Sequence, residues 1–460
     1  MRFKLFLLIF ISLSISSNAQ EDSTQIFYLD DLYKTILTGH PIIRQAELVS
    51  QMAEAEIRLA RGNFDPKIGS DFDYKTFKDT EYYNNLDNVL KIPTWFNVDF
   101  KVGFERNKGV YINDQLTVPD GGLWYAGVSV PIGQGLIIDQ RRAEVQKAKL
   151  MPQIADAERI KMINKLLFTA TKDYWNWSFA YQRLKLIENA LELAEIRYEG
   201  IRQSVFQGDI APFDSIKALI NFQNRMISYQ EAEIEFQNAG IILSNHLWTG
   251  FDEPLEIQPN AIPDTLMQNI FDWDREFMEN LIARARTLHP ELVKLNLKLQ
   301  QQEIERRLNI ENLKPELNLN YNLLNSAQES RNGEAIFNNN YKGGVTFSFP
   351  LFLRKERAKL QKTKIKINDL QYDRSLQQVM ISNEITTLFQ ELENTQRLIE
   401  LQQKATNNYE RLLEGEIIKF ENGESELFLV NTRETQLLEA SEKLIKLKIE
   451  REKLRAEVLW

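Results

Sequence analysis

Three histidines are the residues of this 460-residue chain best suited to metal binding or proton transfer near neutral pH, and cysteine is absent. His40 and His289 each stand before a proline, in Gly39-His40-Pro41 and Leu288-His289-Pro290, while His246 stands alone. Metal ligands cluster with other donors. These histidines do not cluster in sequence, so a structural role at helix starts is the reading for the His-Pro pair. The chain has no glycine-rich phosphate loop, no nucleophile elbow and no paired-histidine zinc spacing. We therefore expect no catalytic, cofactor-binding or metal-binding residues, no cofactor and no enzyme activity.

Charge concentrates at two glycine turns instead. QGDIAPFDS at 207–215 matches NGESELFLV at 422–430, aligning Gly208 with Gly423 and Phe213 with Phe428. Asp209 and Asp214 lie beside the first glycine; Glu421, Glu424 and Glu426 crowd the second. Carboxylates around a narrow passage would favour cations. Acidic residues at a helix start are also ordinary partners of the helix dipole.

These turns belong to a duplication. His40-Pro41 recurs as His289-Pro290, FDPKI at 64–68 as LKPEL at 313–317, and SVPI at 129–132 as SFPL at 348–351. The two units close on Leu247-Trp248 and Leu459-Trp460. The stretch from Pro66 to Pro131 is about thirty residues longer than its counterpart from Pro315 to Pro350, an inserted loop or hairpin.

Export is written at the start. Arg2 and Lys4 head an apolar run from Leu5 to Ile15, and Ser17-Asn18-Ala19 supplies small residues for cleavage near Ala19. The run is shorter than the ~20 apolar residues that span a bilayer. No later stretch approaches a transmembrane helix, so any spanning structure must be a β-barrel. The net charge of −9 argues against nucleic acid as a partner.

Period-two segments supply candidate strands. Leu317, Leu319, Tyr321 and Leu323 alternate with Glu316, Asn318, Asn320 and Asn322, and Tyr341, Val345, Phe347 and Phe349 alternate with Lys342, Thr346 and Ser348. In the first unit Ile68, Phe72 and Tyr74 alternate with polar residues, as do Phe96, Val98, Phe100, Val102 and Phe104. A strand leading into Pro131 is less clearly patterned. An odd number of strands would leave the chain on the wrong side of a membrane. The Phe96–Phe104 segment must pair with a fourth strand near Tyr111–Val118 or replace another. Asn338, Asn339 and Asn340 suit an extracellular loop.

Helical stripes fill the rest. Ile220, Ile227, Ile234, Ile241 and Trp248 recur every seventh residue. Leu437, Ala440, Leu444, Leu447, Leu454 and Val458, like Ile381, Ile385, Leu388, Leu392 and Ile399, fall on three-and-four spacing, which means helix packed on helix. A helix from Gly135 to Phe206 would rise ~108 Å and one from Phe352 to Glu421 ~105 Å. Ile210–Thr249, Arg275–Asn312, Leu29–Asn63 and Glu424–Trp460 are each about half as long. Pro152 is the one kink expected in a long helix.

This plan resembles the TolC-like outer-membrane efflux proteins over essentially the whole mature chain. The resemblance rests on the duplicated His-Pro after YLDDLYKTILTGHP at 28–41, Pro66 and Pro315 entering the strands, Pro131 and Pro350 leaving them, and the Gly208 and Gly423 turns. It implies a mostly α protein with a transmembrane β-barrel and a long periplasmic α-helical barrel. Four strands from each chain of a homotrimer would close one twelve-stranded barrel in outer-membrane lipid. It implies a signal peptide at 1–19, a first repeat at 20–249 with strands within about 64–131 and a helical hairpin at about 135–249, and an equatorial linker at 250–274. A second repeat at 275–460 would have strands at about 315–350 and a hairpin at about 352–460.

The function implied is the passive exit duct of a tripartite efflux or secretion system, docked by a periplasmic adaptor and an inner-membrane pump. The tips at Gly208, Asp209, Asp214, Glu421, Gly423, Glu424 and Glu426 would dock the adaptor and gate the pore. Family members that narrow the pore with aspartates six and nine residues past the second glycine have no match here, where Leu429 and Thr432 stand. Only Asp214, at plus six in the first unit, is acidic. The other reading is an exported coiled-coil adaptor, which should carry one helical hairpin in a β-rich body.

Overall fold

The computed structural model describes residues 25–208, 211–250, 253–265, 274–328 and 340–460. The expected signal peptide, Asp209, part of the 250–274 linker and Asn338–Asn339 lie outside the described residues.

The elements begin with strand β1 (Gln25–Phe27) and helices α1 (Leu29–Gly39) and α2 (Pro41–Arg61). Strands β2 (Lys67–Phe77), β3 (Thr80–Pro93), β4 (Asp99–Lys108) and β5 (Leu123–Pro131) follow. Helices α3 (Gln140–Ala148), α4 (Met151–Gln207) and α5 (Pro212–Ser244) come next, then β6 (Ala261–Pro263), α6 (Arg275–Leu288) and α7 (Pro290–Glu311). The chain ends with β7 (Glu316–Ser326), β8 (Tyr341–Ser348), α8 (Arg354–Glu421) and α9 (Leu427–Leu459). Contacts divide it into two compact units, each drawing on both halves of the sequence.

One unit, Ile42–Leu166 with Asp272–Gln390, holds a six-stranded antiparallel sheet in the order β2-β3-β4-β5-β7-β8. The resemblance implies four strands per chain, and among the described residues this sheet has six. The inserted residues lie between β2, which follows Pro66, and β5, which ends at Pro131, and form β3 and β4; β4 pairs with Thr80–Pro93 and with β5, not with Tyr111–Val118. That last stretch holds only a short 3-10 turn at Asp114–Leu116. Lys78 and Asp79 make the two-residue hairpin turn with both φ angles positive, 51° and 58°, the pattern that matches strand twist.

Register gives the sheet two faces, because directly opposite residues point the same way. Phe72, Leu86, Val102, Ala126, Leu323 and Tyr341 mark one face, and it is apolar apart from such interruptions as Ser70 and Asn88. Asp71, Asp87, Glu105, Asn320 and Lys342 share the other with Gly103, Gly127 and Gly344. Ile68, Phe72, Val345 and Phe347 are exposed on the apolar side. Apolar out and polar in is the pattern of a membrane barrel wall.

The turn between β3 and β4 is fastened. Asn97 has φ 60° and donates to the Gly135 carbonyl at 2.8 Å, while Arg141 donates to Asn97 at 2.8 Å and Asp99 at 3.1 Å. Trp95 packs on Phe64, ring centroids 5.3 Å apart. Asp139 caps α3 by accepting the Arg142 N–H at 3.2 Å. Burial alone would raise its carboxyl, but Arg142 and Arg141 hold it below the ordinary range. Below this, α3 meets α7 through Ile138, Ala143, Ile304 and Leu308, with Lys147 paired to Glu305.

Helix interruptions fall on prolines. The chain breaks at Lys149–Leu150, just before Pro152, as expected of an imino acid that cannot bond back into the preceding turn. The half-length helices expected over Leu29–Asn63 and Arg275–Asn312 are corrected: each is two helices, broken at His40-Pro41 and His289-Pro290, because a residue before proline is pushed out of the α region. His40 has ψ 132° and His289 ψ 127°. His289 Nδ1 then accepts the Glu291 N–H at 3.3 Å, capping α7. By contrast, α8 runs 68 residues without interruption, ~102 Å.

The other unit comprises Met1–Pro41, Leu167–Phe271 and Glu391–Trp460. Trp177, Tyr174, Leu32 and Ile36 are fully buried there. The Tyr174 hydroxyl donates to the Phe27 carbonyl at 2.9 Å and accepts the Asp264 N–H at 3.0 Å, tying together the parallel β1–β6 pair. Gly39 is required: a Cβ there would stand 2.0 Å from the Trp248 carbonyl oxygen. His246 Nε2 lies 2.8 Å from Asp173, and His40 stacks on His246. Ala440, Leu444, Leu454, Val458, Leu392 and Ile399 are buried as their spacing predicts. The stripe at Ile220, Ile227, Ile234 and Ile241 is not, and each of these residues is more than half exposed in the chain.

Candidate functional site

The two glycine turns lie in this second unit, and one small core joins them. Ile201 of α4, Ala218 of α5 and Leu427 of α9 are buried together, with Tyr198, Val205 and Phe420 packed on them. Gly423 has φ 76°, donates to the Phe420 carbonyl at 3.0 Å, and is followed by Glu424 N–H to Lys419 at 2.8 Å. That is the double bond pattern that ends a helix on a left-handed residue. Gly208 has φ 87° and donates to Val205 at 3.1 Å in the same way. Nothing approaches a Cβ built on either glycine, so backbone conformation and not space selects them.

Around these turns the sequence-predicted residues separate into two sets. Asp214 and Glu426 line one cleft with Ile201, Lys217, Phe420 and Ser425. Asp214 is paired with Lys217 at 3.0 Å. Glu426 is the residue before α9 and makes no side-chain cap bond. Glu421, Gly423 and Glu424 are exposed at the second turn, and Asp209 lies outside the described residues. Among the described residues no group of three or more His, Cys, Asp or Glu could hold a metal ion.

Charged and polar side chains pin the helices behind the turns. Arg197 donates to Glu434 at 2.6 Å, joining α4 to α9, and Asn221 donates to Asn431 at 3.1 Å, joining α5 to α9. Glu416 accepts from the Ser425 hydroxyl at 2.5 Å and lies 3.8 Å from Arg433. These groups are partly or fully buried, where such bonds favour one arrangement of the helices, and Arg433 Nε and one Glu434 carboxylate oxygen are buried without a hydrogen-bond partner.

What sequence reading missed is aromatic. Phe206 is 94% exposed, and Phe213 and Phe428 are mostly exposed. Phe213 and Phe428 each stand five residues past a turn glycine, so the duplication itself carried the signal. Phe206, just ahead of Gly208, had no such partner.

Residues 281–457 match the family model described as outer membrane efflux protein. That stretch of the chain is similar to outer membrane efflux proteins. No curated protein matches in sequence. The fold matches the CmeC outer membrane channel of Campylobacter jejuni with TM-score 0.64 and 14% identity, covering 94% of this chain and 84% of that one. It matches the outer membrane protein VceC of Vibrio cholerae with TM-score 0.65 and 14% identity, over 94% and 95%. The open-state MtrE outer membrane channel of Neisseria gonorrhoeae gives 0.64 and 13%, over 94% and 87%. At such identities the likeness establishes the fold alone.

Proposed function

We propose that this efflux channel is the passive exit duct of a tripartite export system, working as a homotrimer whose helical turns are docked by a periplasmic adaptor connected to an inner-membrane pump. The observation that carries the docking is the exposure of Phe206, Phe213 and Phe428 at the two rigid glycine turns. Exposed aromatics on a pre-formed surface are what a partner interface uses for anchors. Asp214, Glu421, Glu424 and Glu426 surround them with negative charge, and together with Asp209, Gly208 and Gly423 they form the proposed tip and gate. The trimer is supported by the α5 isoleucines, a heptad stripe that is more than half exposed in its own chain.

The test is export in the native host. Phe213→Asp with Phe428→Asp should sensitise cells to toxic dyes and detergents as fully as loss of the gene, while the assembly stays in the outer membrane. Full resistance in that variant would overturn the docking site. Replacing Glu421, Glu424 and Glu426 with glutamine should lower single-channel cation selectivity, and unchanged selectivity would remove them from the entrance.

A further inference from the structure

We propose that the neighbouring copy closes the barrel by pairing its β8 with β2 of the β2–β3 hairpin, so that three chains, each widened by the inserted β3 and β4, make an eighteen-stranded wall. This rests on the three-chain reading above. The topology carries the argument. Among the described residues of each chain the sheet has two open edges, β2 and β8, and each of its other strands is already paired on both sides. A neighbour's β8 cannot reach β4, because β3 occupies that edge from Asn84↔Lys108 to Pro93↔Asp99.

Direction and facing agree. Six antiparallel strands is an even number, so β2 and β8 run oppositely and their union keeps the sheet antiparallel throughout. Aligning the sheet bases, Lys67 with Ser348, puts apolar residues opposite apolar ones: Ile68 meets Phe347 and Tyr74 meets Tyr341. On the polar face the same alignment sets Asp73 opposite Lys342, with Asp71 one step along. A shift of two residues keeps the facing and moves Lys342 to Asp71, whereas a shift of one would turn every side chain to the wrong face.

The hairpin is also built as wall and not as an appendage. Its β2 presents Ile68, Phe72 and Tyr74, all exposed, on the same face as Val345 and Phe347 of β8. Its return to β4 is fastened at the base by Asn97 and Arg141. Barrel diameter grows roughly linearly with strand number, so eighteen strands give a lumen about half as wide again as twelve.

The absence of cysteine makes the test direct. Asp73→Cys with Lys342→Cys, and Asp71→Cys with Lys342→Cys, are oxidised in intact outer membranes and read on denaturing gels. At least one pair should give covalent dimers and trimers. Phe72→Cys with Lys342→Cys, on opposite faces, should give none, and efficient cross-linking there would overturn the proposed facing. Cross-linking of Lys342→Cys to Lys101→Cys on β4 would show the hairpin displaced and overturn the closure, as would a trimer in which no β2–β8 pair reacts. Loss of the trimer itself in native mass spectrometry of the unmodified protein would sink the three-chain reading, and the closure with it. Strand number in a density map of the wild-type assembly is the independent measurement: eighteen is expected, and twelve overturns the proposal.

Discussion

Tyr125 and Asp87 stand on strands that do not touch, yet the tyrosine hydroxyl donates to the aspartate at 3.1 Å. The side chain crosses the intervening β4 over Gly103, where a Cβ would lie 2.2 Å from the ring. The bond therefore ties the β2–β3 hairpin to the strand pair shared with the second half of the chain. Gly103→Ala should cost about 2 kcal/mol as an overpacked site. Most of that cost should vanish in a Tyr125→Ala background, because the clash is with that ring. Denaturant midpoints of the four proteins refolded into vesicles measure the coupling; additive costs would show that the glycine is there for another reason.

Arg197 and Glu434 form the most enclosed ion pair behind the turns, with side-chain exposures of 19% and 5%. Glu434→Ala leaves the guanidinium without its charge partner and should destabilise by about 3 kcal/mol. Arg197→Met with Glu434→Leu should recover most of this, since a well-packed apolar pair avoids the desolvation of two charges. Unfolding midpoints of the single and double variants decide it.

His289 links stability to pH. Burial, reinforced by Lys161 and opposed by Glu291 and Glu384, holds its pKa below the ordinary 6.5. Its Nδ1 must stay unprotonated to accept the Glu291 N–H. The unfolded chain thus takes up the proton first, so stability is complete above about pH 6.5, falls as pH drops below it, and levels off once the native imidazole is also protonated. His40, likewise held low by burial and by His246, adds to the same slope. His289→Gln should flatten the dependence, as unfolding midpoints taken across that window will show.

The α5 stripe predicts assembly. Ile227→Asp with Ile234→Asp should leave the helix content of the chain unchanged but shift the protein from trimer to monomer. Circular dichroism and light scattering in detergent separate the two effects; a stable trimer would place the contact elsewhere.

Much of this was legible in the sequence because prolines and glycines act locally. Pro152, Gly208 and Gly423 dictate backbone angles whatever surrounds them, so the helix ends fell where expected. Strand β3 was missed for the opposite reason. Its turn is Lys78-Asp79, which gives no asparagine–glycine signal, and Asn84 and Asn88 blur the alternation of β3. Only pairing on both sides identifies that strand. The tips divided similarly: the carboxylates announced themselves by charge, while Phe206 is ordinary until its exposure is seen. The exposed isoleucines of α5 looked like any packed stripe, because heptad spacing does not say whose helix is the partner.

The open edges of the sheet carry a consequence for manufacture. A protomer crossing the periplasm alone would display two unsatisfied rows of backbone donors and acceptors beside exposed phenylalanine and valine, the combination from which edge-to-edge aggregates grow. The even strand number that lets three copies meet also lets any two meet wrongly, head to tail without limit. With the proposed three-chain closure, delivery of this chain needs a guard: folding of the sheet would wait until the membrane and two sisters are at hand, and overproduction without that escort should yield insoluble polymer before it yields channels.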